Sequence, residues 1–207
     1  MTPVSGSDVL HSRRRTRGVR RSCMLLFAAV CVGAYALPFR ASAQQPKPEE
    51  YQVKAVYLYN FGRFIEWPSS IPKTETFNIC VLGRDPFGTV LDTTVGGEAI
   101  ESHKLVARRI ASAREAEGCR ILFISGSEAV RVKETLAAVE KYGALTVSDM
   151  TGFTSDGGMI QFVMRANKVR FKVNLTAAEN VGLVLNSQLL KVATDVRKGP
   201  VIAGVAP

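Results

Sequence analysis

The sequence predicts one three-layer α/β/α domain around a mixed, mostly parallel sheet, finished by a C-terminal β-hairpin and a helix. Three observations carry that reading. Phe77-Asn-Ile-Cys-Val-Leu-Gly83 and Cys119-Arg-Ile-Leu-Phe-Ile-Ser125 are short apolar, β-branched runs, the pattern of strands covered on both faces. Each is followed by helix-start chemistry. Met159 to Met164 and Val169 to Val173 then flank a short Ala-Asn turn, which reads as a hairpin.

The N-terminus is read first as an address. Seven arginines precede Gln44, six of them between Arg13 and Arg21. The apolar run Cys23 to Leu37 and the Ala41-Ser42-Ala43 site complete a secretory signal over residues 1–43. The run is short for a membrane span. Cys31 follows Ala-Ala-Val, a poor lipid-attachment context, and Arg20-Arg21 leaves both Sec and twin-arginine export open.

Cleavage would leave 164 residues carrying 20 Lys+Arg against 17 Asp+Glu, so the net charge falls from +9 to +3. The basic balance therefore belongs to the leader and gives no ground for nucleic-acid binding. The remaining length suits one domain with a full core. No later run is apolar enough to span a membrane, so the expectation is a periplasmic protein without membrane insertion after signal cleavage. Residues 44–50 form a flexible lead-in, 51–198 the domain and 199–207 a flexible tail.

Tyr51 to Glu66 reads as the opening helix. Val53, Val56, Tyr57, Phe61, Phe64 and Ile65 form one stripe; Ala55, Leu58, Tyr59 and Gly62 form a second. A helix apolar nearly all round is buried on both sides or shows one face to a partner. Asn60 would need hydrogen-bond partners if buried. Trp67-Pro68 ends the element, because proline disfavours the α region for the residue before it.

Asp85 followed by Pro86 reads as an N-cap with proline at the first helical position, opening a short helix to about Val95. Gly96-Gly97 is a turn, Lys104 to Ile110 the second strand, and Ser112 to Gly118 a connection. Ser125-Gly-Ser-Glu128 fits a capping box for a helix carrying Ala129, Val132, Leu136 and Val139 and stopping at Gly143. Ala144 to Ser148 is the fourth strand and Gly152 to Gly158 a loop. After the hairpin, Thr176-Ala-Ala-Glu179 is a second capping box, opening a helix with Val181, Leu185, Leu189, Val192 and Val196. Gly182 inside that helix costs about 1 kcal/mol against alanine, which close packing would justify.

Cys23 and Cys31 leave with the leader, so Cys80 and Cys119 remain. Two cysteines in an oxidising compartment most often form one disulfide. Metal binding is the weaker reading, with His103 as the one histidine past the leader. Closing the loop between them adds about 4 kcal/mol in the chain-entropy model. The bond needs alpha carbons roughly 6 Å apart. That favours the strand order second-first-third-fourth.

No Gly-x-Ser-x-Gly elbow, P-loop, His-Glu-x-x-His or dinucleotide fingerprint is present. No cofactor or metal is expected. Asp85, Ser125 and Asp149 follow the carboxyl ends of predicted strands, where open α/β sheets bind ligands, and form an alternative small-ligand or cation site. Helix and turn capping is the more frequent use of such residues. Around Gly152 to Phe162, Phe153 and Met159 are candidate partner contacts, and Tyr59 on the opening helix is a third. Ile160 and Phe162 read as core by strand alternation.

The chain resembles the YfiR family of small periplasmic proteins. The matching residues are Tyr51-Gln-Val-Lys-Ala-Val-Tyr-Leu-Tyr-Asn-Phe61, Phe64-Ile-Glu-Trp-Pro68, Ile79-Cys-Val-Leu-Gly83, Asp85-Pro-Phe-Gly88 and Cys119 with Ile121-Leu-Phe-Ile-Ser125. Leu145-Thr-Val-Ser-Asp149, Gly152-Phe153, Gly157-Gly-Met-Ile160, Val169-Arg-Phe171, Asn174-Leu175 and Leu189-Leu190 continue the match. Arg120 departs from a common histidine after the cysteine, and Ile100 to His103 lacks the usual Gly-Arg. The resemblance implies a non-catalytic periplasmic regulator that represses a membrane-bound diguanylate cyclase through its periplasmic domain. It would thereby lower cyclic-di-GMP and biofilm formation, in a way sensitive to the disulfide state. A homodimer is compatible with it. The alternative is a ligand-binding sensor or weak enzyme using the Asp85 and Asp149 edge.

Overall fold

Strand pairing around Cys80 organises the molecule. The computed structural model describes residues 48–70 and 74–199, all within the unit Pro46–Pro207. The expected signal peptide over 1–43 and the tail beyond Gly199 lie outside the described residues. Helix α1 spans Pro48–Phe64 and runs into a two-residue strand, β1 (Ile65–Glu66). Then follow β2 (Thr76–Leu82), α2 (Thr89–Val95), β3 (Ala99–Ile100), β4 (His103–Ile110) and β5 (Cys119–Ile124). The second half holds α3 (Val132–Val139), β6 (Leu145–Ser148), β7 (Ile160–Arg165) and β8 (Lys168–Asn174). It ends with α4 (Leu175–Asn180), β9 (Val184–Leu185), α5 (Ser187–Val192) and β10 (Asp195–Arg197).

The main sheet has eight strands in the order β10-β8-β7-β6-β5-β2-β4-β3. The run from β4 to β7 is parallel, β7–β8 and β3–β4 are antiparallel, and β10 adds parallel to β8. The sheet is mixed and mostly parallel, as expected, and the four predicted strands lie in the predicted order. β1 and β9 form a separate antiparallel pair.

Two apolar clusters cover the two faces. The larger joins α1, α2 and the C-terminal helices to Ile79, Val81, Ile121, Phe123, Phe162 and Phe171. Tyr57, Phe61, Phe162 and Phe171 make mutual ring contacts there, with Phe61 and Phe171 edge-to-face at 5.2 Å. The smaller packs Val132 and Val139 of α3 on Cys80, Leu82, Leu122 and Ile124. Helices on both faces make this an α/β/α domain.

The disulfide depends on a bulge. Asn78 sits opposite Cys119, but Ile79 sits opposite Ile121, so Arg120 is an extra residue on β5. Strand side chains alternate between faces. In an unbulged strand Cys119, two residues before Ile121, would share its α1 side; the bulge at Arg120 puts Cys119 with Cys80 on the α3 side. The two are bonded with Cα atoms 5.9 Å apart.

Several local expectations are corrected. Asp85 does not cap α2, whose N-cap is Gly88; its carboxylate instead accepts from the Phe87 N–H at 2.7 Å within the preceding turn. Ser125 caps a short 3-10 helix, Gly126–Arg131, rather than α3 itself. Glu128 does not complete a capping box: it pairs with Arg131 at 2.7 Å, while the Ser125 N–H is already donated to the Leu82 carbonyl. Ala129 is exposed, outside the predicted face. The long helix after Thr176 is two short ones. Gly182 adopts φ +78°, which ends α4, and a Cβ there would lie 3.1 Å from Pro68 Cγ. Asn174 and Asn186 cap α4 and α5 by accepting from Ala177 and Gln188 N–H groups at 3.2 and 2.8 Å.

Candidate functional site

The stripe that α1 buries contains a charge. Tyr51, Lys54, Ala55, Leu58, Phe61 and Ile65 recur at three- and four-residue spacing and are all buried. Val53 and Val56, which the sequence groups in one apolar stripe with Phe61 and Ile65, are each 44% exposed. Lys54 is 3% exposed, and its ammonium meets Asp149 at 2.6 Å and Glu50 at 2.5 Å. It also lies 4.3 Å from the centroid of the Tyr51 ring. The Tyr51 hydroxyl donates to the same Asp149 oxygen at 2.8 Å.

Asp149 is presented by the end of β6. Ser148 Oγ donates to the Ile124 carbonyl at 2.7 Å and accepts from the Met150 N–H at 3.1 Å, which fixes the turn. The cluster thus ties α1 to the carboxyl edge of the sheet. Sequence reasoning missed Lys54 because a lysine breaks an apolar pattern. The available signal was its register with Tyr51, Ala55 and Leu58, plus Glu50 one turn earlier.

Burial, then the neighbouring Asp149 charge, pushes the Tyr51 phenol well above its ordinary value of 10.0. The folded state therefore holds that proton more tightly than the unfolded chain does. Its contribution to stability is complete below pH 10.0 and declines as pH rises above it. Tyr51→Phe is expected to flatten the alkaline fall in stability between about pH 9 and pH 11. Denaturant midpoints across that range test it; an unchanged slope would remove Tyr51 as the source.

Asp85 and Ser125 do not join Asp149. Arg109 grips Asp85 at 2.8 Å, Asp92 through two nitrogens at 2.6 and 2.7 Å, and the Gly88 carbonyl at 2.6 Å. That hydrogen bonding holds Asp92 below the usual carboxylate range and raises Arg109. Ser125 Oγ accepts from the Ser127 N–H at 3.4 Å. Asp85 and Ser125 are thus engaged in shaping their own turns, while Asp149 is engaged with Lys54 and Tyr51 of α1. Among the described residues no group of His, Cys, Asp and Glu is placed to hold a metal ion.

The expected partner contacts divide. Phe153 is 1% exposed and Met159 5% exposed, so both are core residues. Phe153 lies under Gly158, where a Cβ would overlap its ring. Met159 belongs to the α1-side cluster, and its N–H donates to Thr146 Oγ1 at 3.2 Å. Glycine spacing let the 152–158 loop fold inward, which the sequence did not reveal. Tyr59 is half-buried, donates its hydroxyl to Glu98 at 2.9 Å and lies 5.8 Å from the Arg63 guanidinium. With Val53 and Val56 it leaves the opening helix as the apolar surface candidate.

Two clefts lie at the opposite, amino end of the sheet. One cleft of about 340 Å³ is lined by Trp67, Phe77, His103 and Arg120. A second, of about 580 Å³, shares Thr74 and Arg120 with it and adds Tyr142 and Val181. Burial lowers the Arg120 guanidinium, and the Glu101 carboxylate opposes that shift. His103 thus lines a cleft, where the sequence placed it in a polar loop.

Residues 51–194 match the model of the YfiR/HmsC-like family. No match is found among curated proteins. Among solved structures the chain is similar to a conserved domain protein from Vibrio cholerae O1 biovar El Tor, at 12% identity and a TM-score of 0.51, over 69% of this chain and 60% of that one. It is also similar to the ABC domain from Streptococcus pneumonia solved with L-Trp, at 11% identity and a TM-score of 0.47, over 72% of this chain and 60% of that one. The chain spans 60% of the length of each, and the Vibrio likeness concerns the fold alone. The family match begins in α1 and takes in Tyr51, Lys54 and Asp149, Cys80 and Cys119, and the sheet strands from β2 to β8. The chain belongs to the YfiR/HmsC-like family.

Proposed function

We propose that the protein is a periplasmic regulator that binds the periplasmic domain of an inner-membrane diguanylate cyclase, restrains it, and so lowers cyclic-di-GMP. Family membership over residues 51–194 is the observation that carries this reading. The leader-like first 43 residues and the buried Cys80–Cys119 bond agree with an exported protein. No helix among the described residues is long and apolar enough to cross a membrane. In this reading the protein turns over no substrate. Asp85 and Asp149, both held in internal ion pairs, agree with that reading.

The contact surface is the outer side of α1, where Val53 and Val56 are 44% exposed and Tyr59 stands beside Arg63. A regulator confined to one side of the membrane acts only through unequal affinity for the partner's active and restrained states. A few such side chains can carry binding, at roughly 2 kcal/mol or more each. Deleting the gene is expected to raise cyclic-di-GMP, and the wild-type gene to restore it. Val53→Asp with Val56→Asp is expected to fail to restore it while secretion and melting temperature stay near wild type. An unchanged cyclic-di-GMP level in the deletion strain would end the cyclase reading; full complementation by the double variant would end this surface alone.

A further inference from the structure

The hairpin has a face that no helix covers. In β7 and β8, Ile160, Phe162, Val169, Phe171 and Val173 point to the α1-side core. The alternate residues point the other way, and the register sets Val163 opposite Arg170 and Arg165 opposite Lys168. Lys172 follows on the same side, and β10 adds Arg197 beside Asn174. The turn between the strands is Ala166-Asn167, both at positive φ, which holds Arg165 and Lys168 together at the hairpin tip.

Five cations therefore share one sheet face: Arg165, Lys168, Arg170, Lys172 and Arg197. Their counter-charge is slight. Lys172 meets Asp195 at 3.9 Å, and Asp156 on the adjoining loop is paired with Lys133 at 3.4 Å. Arg197 reaches Ser155 Oγ at 3.4 Å. Arg165, Lys168 and Arg170 have no carboxylate partner among the described residues. The loop over Gln161, through Thr154, covers only the far end of the face.

We infer that this face docks on an anionic phospholipid surface. The face carries no aromatic anchor of the kind around which protein interfaces are centred. Adsorption to phosphate headgroups needs only a cluster of long cationic side chains within a Debye length of the surface. This inference does not depend on the cyclase reading.

The test is co-sedimentation of the exported, signal-free protein with vesicles of phosphatidylethanolamine containing phosphatidylglycerol, against vesicles of phosphatidylcholine alone. Binding is expected on the anionic vesicles only, and is expected to disappear in high salt. Arg165→Gln with Lys168→Gln and Arg170→Gln is expected to weaken it on the order of a hundredfold, from about fivefold per cation. Lys104→Gln with Arg114→Gln and Lys191→Gln removes the same charge from exposed positions elsewhere and is expected to change it less than about threefold. Equal binding to both vesicle types, equal losses in the two triple variants, or no loss in the first would overturn the inference. So would a hairpin variant that keeps vesicle binding and instead loses affinity for an acidic protein domain. A melting temperature for each variant, and Lys168→Gln alone at the exposed tip, separate lost binding from lost folding.

Discussion

Lys54→Met is expected to lower the melting temperature by about 10 °C, corresponding to roughly 3 kcal/mol for a domain of this size. The substitution keeps most of the side-chain volume but removes the one cation between Asp149 and Glu50, which lie 2.6 and 2.5 Å from it. Two carboxylates and the Tyr51 hydroxyl then face each other at the end of β6. The estimate sits at the low end for a broken buried pair, because the Asp149 and Glu50 side chains keep 21% and 23% exposure and can recruit water. Asp149→Leu in the Lys54→Met background is expected to restore more than half of the loss, since it removes the stranded charge. A double-mutant cycle measures that coupling directly. A loss below about 1 kcal/mol for Lys54→Met would mean that the pair is solvated and does not place α1. The consequence reaches function, because the same helix turn presents Val53 and Val56 outward. A variant that shifts α1 should therefore weaken partner restraint as well as stability.

Loss of the Cys80–Cys119 bond is the second large effect. The cysteines are 39 residues apart in sequence, and the chain-entropy relation assigns such a loop about 4 kcal/mol. Cys80→Ala with Cys119→Ala is expected to lower the denaturation midpoint accordingly. The two sulfurs sit in the α3-side core, with the residues 0% and 1% exposed. Mild reductant should therefore leave the bond intact in native protein and cleave it only once denaturant opens the sheet. Thiol counting with and without denaturant checks this. Free thiols in native protein isolated without reductant would refute the bond, and a loss under about 1 kcal/mol would refute its stabilising role. Because β2 and β5 are neighbours at the centre of the sheet, any redox control of the protein must act through opening that core.

The strands were legible because burial on both faces writes a continuous apolar run, as in Phe77 to Leu82 and Ile121 to Ile124. The hairpin was legible for the same reason, with the Ala-Asn turn between its strands. The C-terminal helix was misread because Val181, Leu185, Leu189 and Val192 keep a helical period across Gly182. The period is a property of the apolar residues, whereas the break is a property of one backbone angle and the nearness of Pro68. Phe153 and Met159 were misread for another reason. A glycine-flanked aromatic suits a loop tip or an inward-folded loop equally well, and only the space beside Gly158 decides between them.

From the residues alone came the order of the central strands, since a bond between Cys80 and Cys119 requires β2 and β5 to be neighbours. The helix that opens the domain and its excess of apolar positions came from the same source, because they rest on local periodicity; its end at Phe64, ahead of Trp67-Pro68, did not, because Ile65 and Glu66 pair with β9. The tertiary structure alone decided which side of that helix faces in. It turned Lys54 inward and Val53 and Val56 outward, because Asp149, distant in sequence, supplies the charge that makes a buried lysine tolerable. It also decided that Cys119 can reach Cys80 at all. The extra residue Arg120 on β5 turns the cysteine to the other face, and strand pairing, which is non-local, is where such a bulge is specified.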